Sequence, residues 1–468
     1  MVTLSVRDVL LVQKRELEAR LKEKYVERDA SLRSLDSGII NVIIGPRRAG
    51  KSFFAERELS KLGEFAYVNF DDERLVKVRE YDDIIEAVKS TYKNARYLLL
   101  DEIQNLEGWE LFVNRLQRQG FRLVITGSNS NLLSRELATH LTGRHLQTAI
   151  FPFSFKEFLK LESGELTESE IKSKFESFVS QGGYPEPNAK KIGFADYLST
   201  LFDSIIYKDI VKKHGVRAPK GIGDLAVYLA TNASKECSYN NLSRVTQTKS
   251  VHTVKKYLAY LEEAFLFFEV PRFSFKQREQ AAANKKIYCI DNGFIKAKGE
   301  KFTEDYGRLY ENAVAVELKK TEFNASGTRI YYWRDRQSGA EVDFVVKRGL
   351  EIEELIQVCY DVSEEKTRER EVRALLKASS ELKCRSLTVL TGDHSAEEKA
   401  EWFGLKGKIS FIPLWKWLLA ERAENMKKKR RKRTLADLFG AAPEVGAKSF
   451  YKWKKKEAKG ENRADVRG

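Results

Sequence analysis

The eight residues Gly45-Pro46-Arg47-Arg48-Ala49-Gly50-Lys51-Ser52 match the pattern G-x-x-x-x-G-K-[ST] and follow directly on the largely apolar run 39–44. A chain that curls around a polyphosphate must point several backbone N–H groups inward. It therefore needs glycine where φ is unusual or where oxygen atoms approach closely. A helix beginning near Lys51 would add the positive end of its dipole. The Lys51 ammonium would then serve the β- and γ-phosphates and the Ser52 hydroxyl would hold Mg2+. All eight residues, Gly45, Pro46, Arg47, Arg48, Ala49, Gly50, Lys51 and Ser52, are expected to line this site. A second motif follows at 95–102, where an apolar strand delivers the adjacent carboxylates Asp101 and Glu102. In this chemistry the first carboxylate orients Mg2+ and its waters, and the second polarises the attacking water. The two motifs together predict Mg2+-dependent hydrolysis of ATP or GTP.

Such residues need a scaffold, and the chain is long enough to supply several. At 468 residues it exceeds one ordinary core, which predicts about three domains. It is 42% apolar, and no uncharged apolar stretch approaches the ~18 residues of a membrane helix, so no membrane partner is expected. Charges interrupt every apolar run from Met1 to Lys14, which argues against a signal peptide. Cys237, Cys289, Cys359 and Cys384 lack C-x-x-C spacing, which argues against a disulfide framework or a zinc site and for a cytoplasmic protein. The net charge is +15, but residues 425–468 hold 15 Lys/Arg against 5 Asp/Glu and so account for +10 of it.

Residues 6–34 have the pattern of a helix leading into the first strand. A helix to about Leu62 should follow the phosphate loop, then a strand over 64–70 ending in Asp71, Asp72 and Glu73, which we take as a turn. Trp109, Phe112, Val113 and Leu116 give 104–119 an amphipathic helical spacing, and 121–126 should form another strand, ending in Gly127-Ser128-Asn129-Ser130. After a further helical stretch at 195–211, residues 220–275 suggest a winged helix, with helices at 222–232, 240–246 and 251–264 and a wing strand at 265–270. Lys249, His252, Lys255 and Lys256 fall near the exposed leading end of its third helix, where a recognition helix would meet DNA; a three-helix module also serves protein contact. Lys427, Lys428, Lys429, Arg430, Arg431, Lys432 and Arg433 are consecutive cations suited to phosphate contacts or to a solvated terminus.

The series GPRRAGKS, LLLDEIQNLEGWE, LVITGSNSNLLSREL, LTGRH and FPFSFKEF resembles the archaeal and bacterial AAA+-type ATPases whose phosphate-loop domain precedes a C-terminal domain of unknown function. The resemblance spans roughly residues 35–420. It implies that Ser128 and Asn129 sense the γ-phosphate, and that Arg144 acts on it as an arginine finger in its own or a neighbouring subunit of a homo-oligomer. The turn QGGYPE is similar to one in signal-transducing ATPases in which proline contacts adenine, which makes Pro185 a cofactor-binding candidate. Residues 285–359 resemble restriction-endonuclease-like folds, with Asp343 and Gln357 at ligand positions. Cys359 stands where those enzymes place lysine, and a neutral thiol cannot replace an ammonium beside a phosphodiester, so this unit is expected to be inactive.

The expected fold is α/β, a P-loop AAA+-type parallel sheet with helical lid, winged helix and C-terminal α/β nuclease-like domain. The divisions are an N-terminal helix (1–34), the ATPase domain (35–150), the lid (151–215), the winged helix (216–280), the nuclease-like domain (281–420) and a basic tail (421–468). The expected function is an ATPase using ATP and Mg2+ to drive binding or remodelling of DNA. A nucleotide switch acting on a protein partner is the alternative, and an active nuclease a third reading.

Overall fold

The computed structural model describes residues 5–76, 78–93, 95–128, 145–190, 192–246, 250–299 and 305–420. Five short apolar runs make its first sheet: β1 (Ile40–Ile44), β2 (Phe65–Asn69), β3 (Tyr97–Asp101), β4 (Arg122–Gly127) and β5 (His145–Ala149). They lie parallel in the order β2-β3-β4-β1-β5. β1 is buried along its whole length, which is why it reads as a continuous apolar run and not as an alternating one. The register sets Asn69 beside Asp101 and Ile44 beside Gly127. The carboxyl ends of β1, β3 and β4 therefore share one edge, the place where open α/β sheets bind ligands.

Helix α1 (Val6–Arg20) is started by a capping box between Ser5 and Asp8 and buries Val9, Leu10, Gln13 and Leu17. The helix anticipated over 6–34 stops at Arg20. Beyond it the chain leaves helical geometry and carries the buried Arg28 beneath the phosphate loop. Helix α2 (Lys51–Ser60) starts at Gly50, α3 spans Tyr81–Thr91, and α4 (Trp109–Arg118) buries the Trp109, Phe112, Val113 and Leu116 stripe that its spacing predicts. α4 starts later than anticipated because a 3-10 turn at Ile103–Asn105 and Gly108, in the left-handed region at φ 65°, precede it. Leu17, Ile43, Phe54, Leu59, Tyr67, Leu99 and Val124 form the core between α1, α2 and the sheet.

Next come α5 (Phe155–Leu159), α6 (Glu168–Gln181), α7 (Pro185–Lys190) and α8 (Phe194–Ser204). In place of a single helix to 211, α8 passes into a π-helical segment at Ile205–Lys212. The chain then runs through α9 (Pro219–Thr231), β6 (Glu236–Cys237), α10 (Tyr239–Val245), α11 (Val251–Glu263), β7 (Phe267–Pro271) and β8 (Lys285–Cys289). The three strands form an antiparallel sheet in the order β6-β8-β7, so residues 285–289 pair here and not with the last sheet.

After α12 (Asn292–Lys298) and α13 (Tyr306–Asn324) comes a mixed six-stranded sheet. Its strands are β9 (Thr328–Arg334), β10 (Glu341–Arg348), β11 (Glu351–Val358), β12 (Leu387–Thr391), β13 (Ala396–Trp402) and β14 (Leu405–Pro413), in the order β13-β14-β12-β11-β10-β9. Helix α14 (Glu365–Leu382) covers it, burying Ala374, Leu375, Leu376 and Ala378 in a core with Val345, Leu355 and Val389.

Candidate nucleotide site

The backbone of 45–50 takes up the curl that its glycines suggest. A Cβ on Gly45 would lie 1.9 Å from the Ile150 carbonyl oxygen, so no larger residue fits there. Arg48 and Gly50 both adopt left-handed φ, 64° and 91°, conformations that turn successive N–H groups into a concave loop. Lys51 is buried and its Nζ donates to the Pro46 carbonyl at 3.0 Å. Burial pushes its pKa down, against the pull of Glu102, whose Oε1 lies 3.9 Å away, and of Asp101.

Asp101, at the end of β3, accepts a hydrogen bond from Ser52 Oγ at 2.8 Å, one from Thr126 Oγ1 and one from Tyr67 Oη at 3.2 Å. Burial, and next the neighbouring Glu102, raise its carboxyl above the ordinary range despite these donors. A buried carboxylate already in contact with the Ser52 hydroxyl suits a divalent cation, which would relieve its cost of burial. The two side chains expected to serve Mg2+ thus fit it.

Glu102 sits in the left-handed region at φ 50°, a strained position for a side-chain-bearing residue of the kind that collects at working sites. Its N–H donates to Thr126 Oγ1 at 3.0 Å, and its Oε2 accepts from Ser128 Oγ at 3.1 Å and from Gln104 Nε2. Burial disfavours its charge, but Lys51 and the Gln104 and Ser128 donors outweigh burial and hold its carboxyl below the ordinary range. An ionised carboxylate therefore lies beside Lys51 of the loop. β4 lies beside β3, which is how Thr126 comes to touch both Asp101 and Glu102; its place in an ordinary apolar strand gave no signal of this.

Further side chains reach the loop from distant segments. The buried Arg28 donates to the Ala49 carbonyl at 2.9 Å and to the Phe151 carbonyl, with its Nε 3.2 Å from Glu157. Arg47 is paired with Asp209 at 3.0 Å, and Arg48 lies 3.7 Å from Glu186. Pro185 approaches Gly50, its Cγ 4.0 Å from where a Cβ there would stand. Arg28 and Asp209 sit in unremarkable loop and helical sequence and Glu186 ends the QGGYPE turn, and nothing in their spacing marks their contacts with the loop. The carboxylate of Asp72 is instead held by Arg74 and Gln13, as a turn residue.

His252, Lys255 and Lys256 stand exposed at the start of α11, with Lys255 Nζ 5.0 Å over the Tyr239 ring. Asn129, Arg144, Lys249 and the run Lys427, Lys428, Lys429, Arg430, Arg431, Lys432 and Arg433 lie outside the described residues.

A second charged cluster lies in a cavity of about 330 Å3 whose lining includes Lys286, Glu311, Glu341 and Asp343. Asp343 N–H donates to Gln357 Oε1 at 3.2 Å, so these two do meet. Cys359 instead turns its thiol, pushed up to about 11 by burial, toward the Asp361 carbonyl. The ammonium beside Asp343 comes from elsewhere. Buried Lys286 on β8 has Nζ 2.8 Å from Asp343, 3.0 Å from Glu311 and 2.6 Å from Glu341. Burial lowers its pKa, but Asp343 and Glu311 outweigh it and keep the lysine charged. Among the described residues no group of three or more His, Cys, Asp or Glu is arranged to hold a metal ion.

Residues 37–159 match the AAA domain family, and 172–303 and 306–417 match two domains of unknown function, DUF8612 and DUF4143. Over 426 residues the chain is 35% identical to the uncharacterized protein MJ1544 of Methanocaldococcus jannaschii, covering 86% of this chain and 93% of that one. It is 30% identical over 365 residues to an uncharacterized protein of Haemophilus influenzae, covering 73% of this chain and 87% of that one. Among solved structures it is similar to the Walker-type ATPase paby2304 of Pyrococcus abyssi, at 13% identity and a TM-score of 0.41 over 63% of this chain and 97% of that one. The chain thus belongs to the protein family of MJ1544 and its Haemophilus relative, with an AAA-type P-loop fold in its N-terminal third.

Proposed function

We propose that this protein binds ATP with Mg2+ at residues 45–52, hydrolyses it, and couples hydrolysis to the binding or remodelling of DNA. The observation that carries the proposal is the convergence of Lys51, Ser52, Asp101, Glu102 and Ser128 on one sheet edge. Lys51 is held over the loop to meet the β- and γ-phosphates. Ser52 and Asp101 would hold the metal, which supplies positive charge to the phosphates. Glu102, ionised and fixed through Thr126 and Ser128, accepts the proton of the attacking water. Pro185 would face the adenine, while Asn129 and Arg144 would act on the γ-phosphate, Arg144 across a homo-oligomer.

The DNA part rests on the helix–strand–helix–helix–strand order of 219–271, which fits a winged helix and is followed by a short helix at Gln277–Ala282 before β8, and on the exposed His252, Lys255 and Lys256 at the head of α11. Lys249 and the cations at 427–433 would extend that contact. ATPase rates with and without single-stranded, duplex and junction DNA test it. The rate should rise with DNA; a rate indifferent to all three forms would remove DNA from the account.

A second reading is favoured by one observation. The ammonium missing at Cys359 is present as Lys286 beside Asp343, so the chemical objection to phosphodiester cleavage in the C-terminal unit falls. Cleavage of linear or branched DNA in Mg2+ or Mn2+ that disappears in Asp343→Ala would establish it, and no cleavage by the wild type would leave the cluster as a binding or structural element.

A further inference from the structure

Asp209 belongs to no motif and lies far along the chain from the phosphate loop, yet it faces the nucleotide site. Its Oδ1 is 3.0 Å from Arg47 Nη1, and both side chains are partly open to solvent, at 25% and 32% exposure. Burial raises its carboxyl above the ordinary range while Arg47 pulls it down, and the next influences on it are Glu102 and Lys51. Lys51 in turn feels Asp209. The carboxylate thus lies in the field of the same groups that would handle the γ-phosphate.

The segment that carries Asp209 is unusual in itself. Residues Ile205–Lys212 are π-helical, bury Ile205, Ile206 and Ile210, and continue directly from α8. π-helical turns are energetically poor and survive mostly where they serve a function. The segment also packs on α9 and α11, two helices of the module that ends in β8. Glu186, which faces the other loop arginine, differs in kind: it is tied to Lys190 at 2.9 Å and Tyr197 at 2.7 Å on its own side.

We propose that Asp209 is a gate on the phosphate loop: it holds Arg47 while no nucleotide is bound, and an incoming nucleoside triphosphate takes Arg47 from it. A polyphosphate is a stronger partner for a guanidinium than one carboxylate is, and its negative charge repels Asp209. Triphosphate binding therefore frees the π-helical segment and loosens its grip on α9 and α11. By linkage the segment in turn weakens nucleotide binding for as long as Asp209 keeps Arg47. Asp209 is on this account a positioning residue, and the inference rests on the proposal that residues 45–52 bind nucleotide.

The test measures binding of a fluorescent ATP analogue and of ADP by the full chain, alongside amide hydrogen exchange over 205–212, in wild type, Asp209→Asn and Lys51→Ala. Asp209→Asn keeps the side chain's shape and removes its charge. It should bind the ATP analogue about tenfold tighter than the wild type. In the wild type the analogue should speed exchange over 205–212, and in Asp209→Asn that exchange should be fast before nucleotide is added. Unchanged or weaker affinity in Asp209→Asn, or exchange over 205–212 that ignores nucleotide in the wild type, would overturn the gate while leaving the nucleotide site standing. Equal binding by wild type and Lys51→Ala would overturn the nucleotide site itself, and the gate with it.

Discussion

Glu102 and Thr126 are the residues on which the proposed hydrolysis makes its sharpest demands. Thr126 touches Asp101 through its hydroxyl hydrogen and the Glu102 N–H through its oxygen, so it holds the left-handed turn at Glu102. Thr126→Val should leave the Glu102 N–H without its partner and take one of three donors from Asp101, costing about 1–3 kcal/mol of stability and lowering kcat more than nucleotide affinity, as read by urea unfolding and by steady-state kinetics. Lys286 carries a different burden. It compensates Glu311, Glu341 and Asp343 from a buried position, and removing one partner of a buried charge cluster strands the others. Lys286→Met should therefore cost about 3–5 kcal/mol in urea unfolding; a loss near zero would mean that the carboxylates share protons instead.

Among the elements, α2 shows how the phosphate loop is tied to the core. Glu56 is buried there against Arg20 at 2.8 Å, and burial pushes its carboxyl up to about 7. A carboxyl raised in the folded state contributes stability that is whole below its unfolded value and is lost as the pH climbs through the folded one. The Tm advantage of Glu56→Gln over the wild type should grow between pH 4.5 and 7 and level off above; an advantage that is flat with pH would contradict the burial argument.

What could be read from the sequence follows the same physics. β1, β3 and β4 were legible because strands buried on both faces must be continuously apolar, and α4 because its four large side chains recur at helical spacing. The loop and the Asp101-Glu102 pair were legible because phosphate chemistry demands fixed residue types at fixed spacing. Arg28, Thr126, Asp209 and Lys286 were not, since each acts through a tertiary contact made by one residue with no local pattern. Lys286 shows this most plainly: the strand expected to open the last unit pairs with β6 and β7, and from there it supplies the charge that Cys359 lacks.

At the scale of the whole molecule, charge is distributed unevenly, with +10 of the net +15 in residues 425–468. If the seven cations at 427–433 meet phosphates, neutralising them to alanine should lower the slope of log K against log salt for duplex DNA by about 6; an unchanged slope would place the contact on α11 or abolish it. No described helix is long and apolar enough to cross a membrane. The central claim, that residues 45–52 and 101–102 form one hydrolytic site, is tested most directly by comparing phosphate release and ATP binding in the wild type and Glu102→Gln with Mg2+. The account predicts that the variant binds ATP as the wild type does while its turnover falls by about 10²–10⁴-fold. Turnover at the wild-type rate in Glu102→Gln would contradict it.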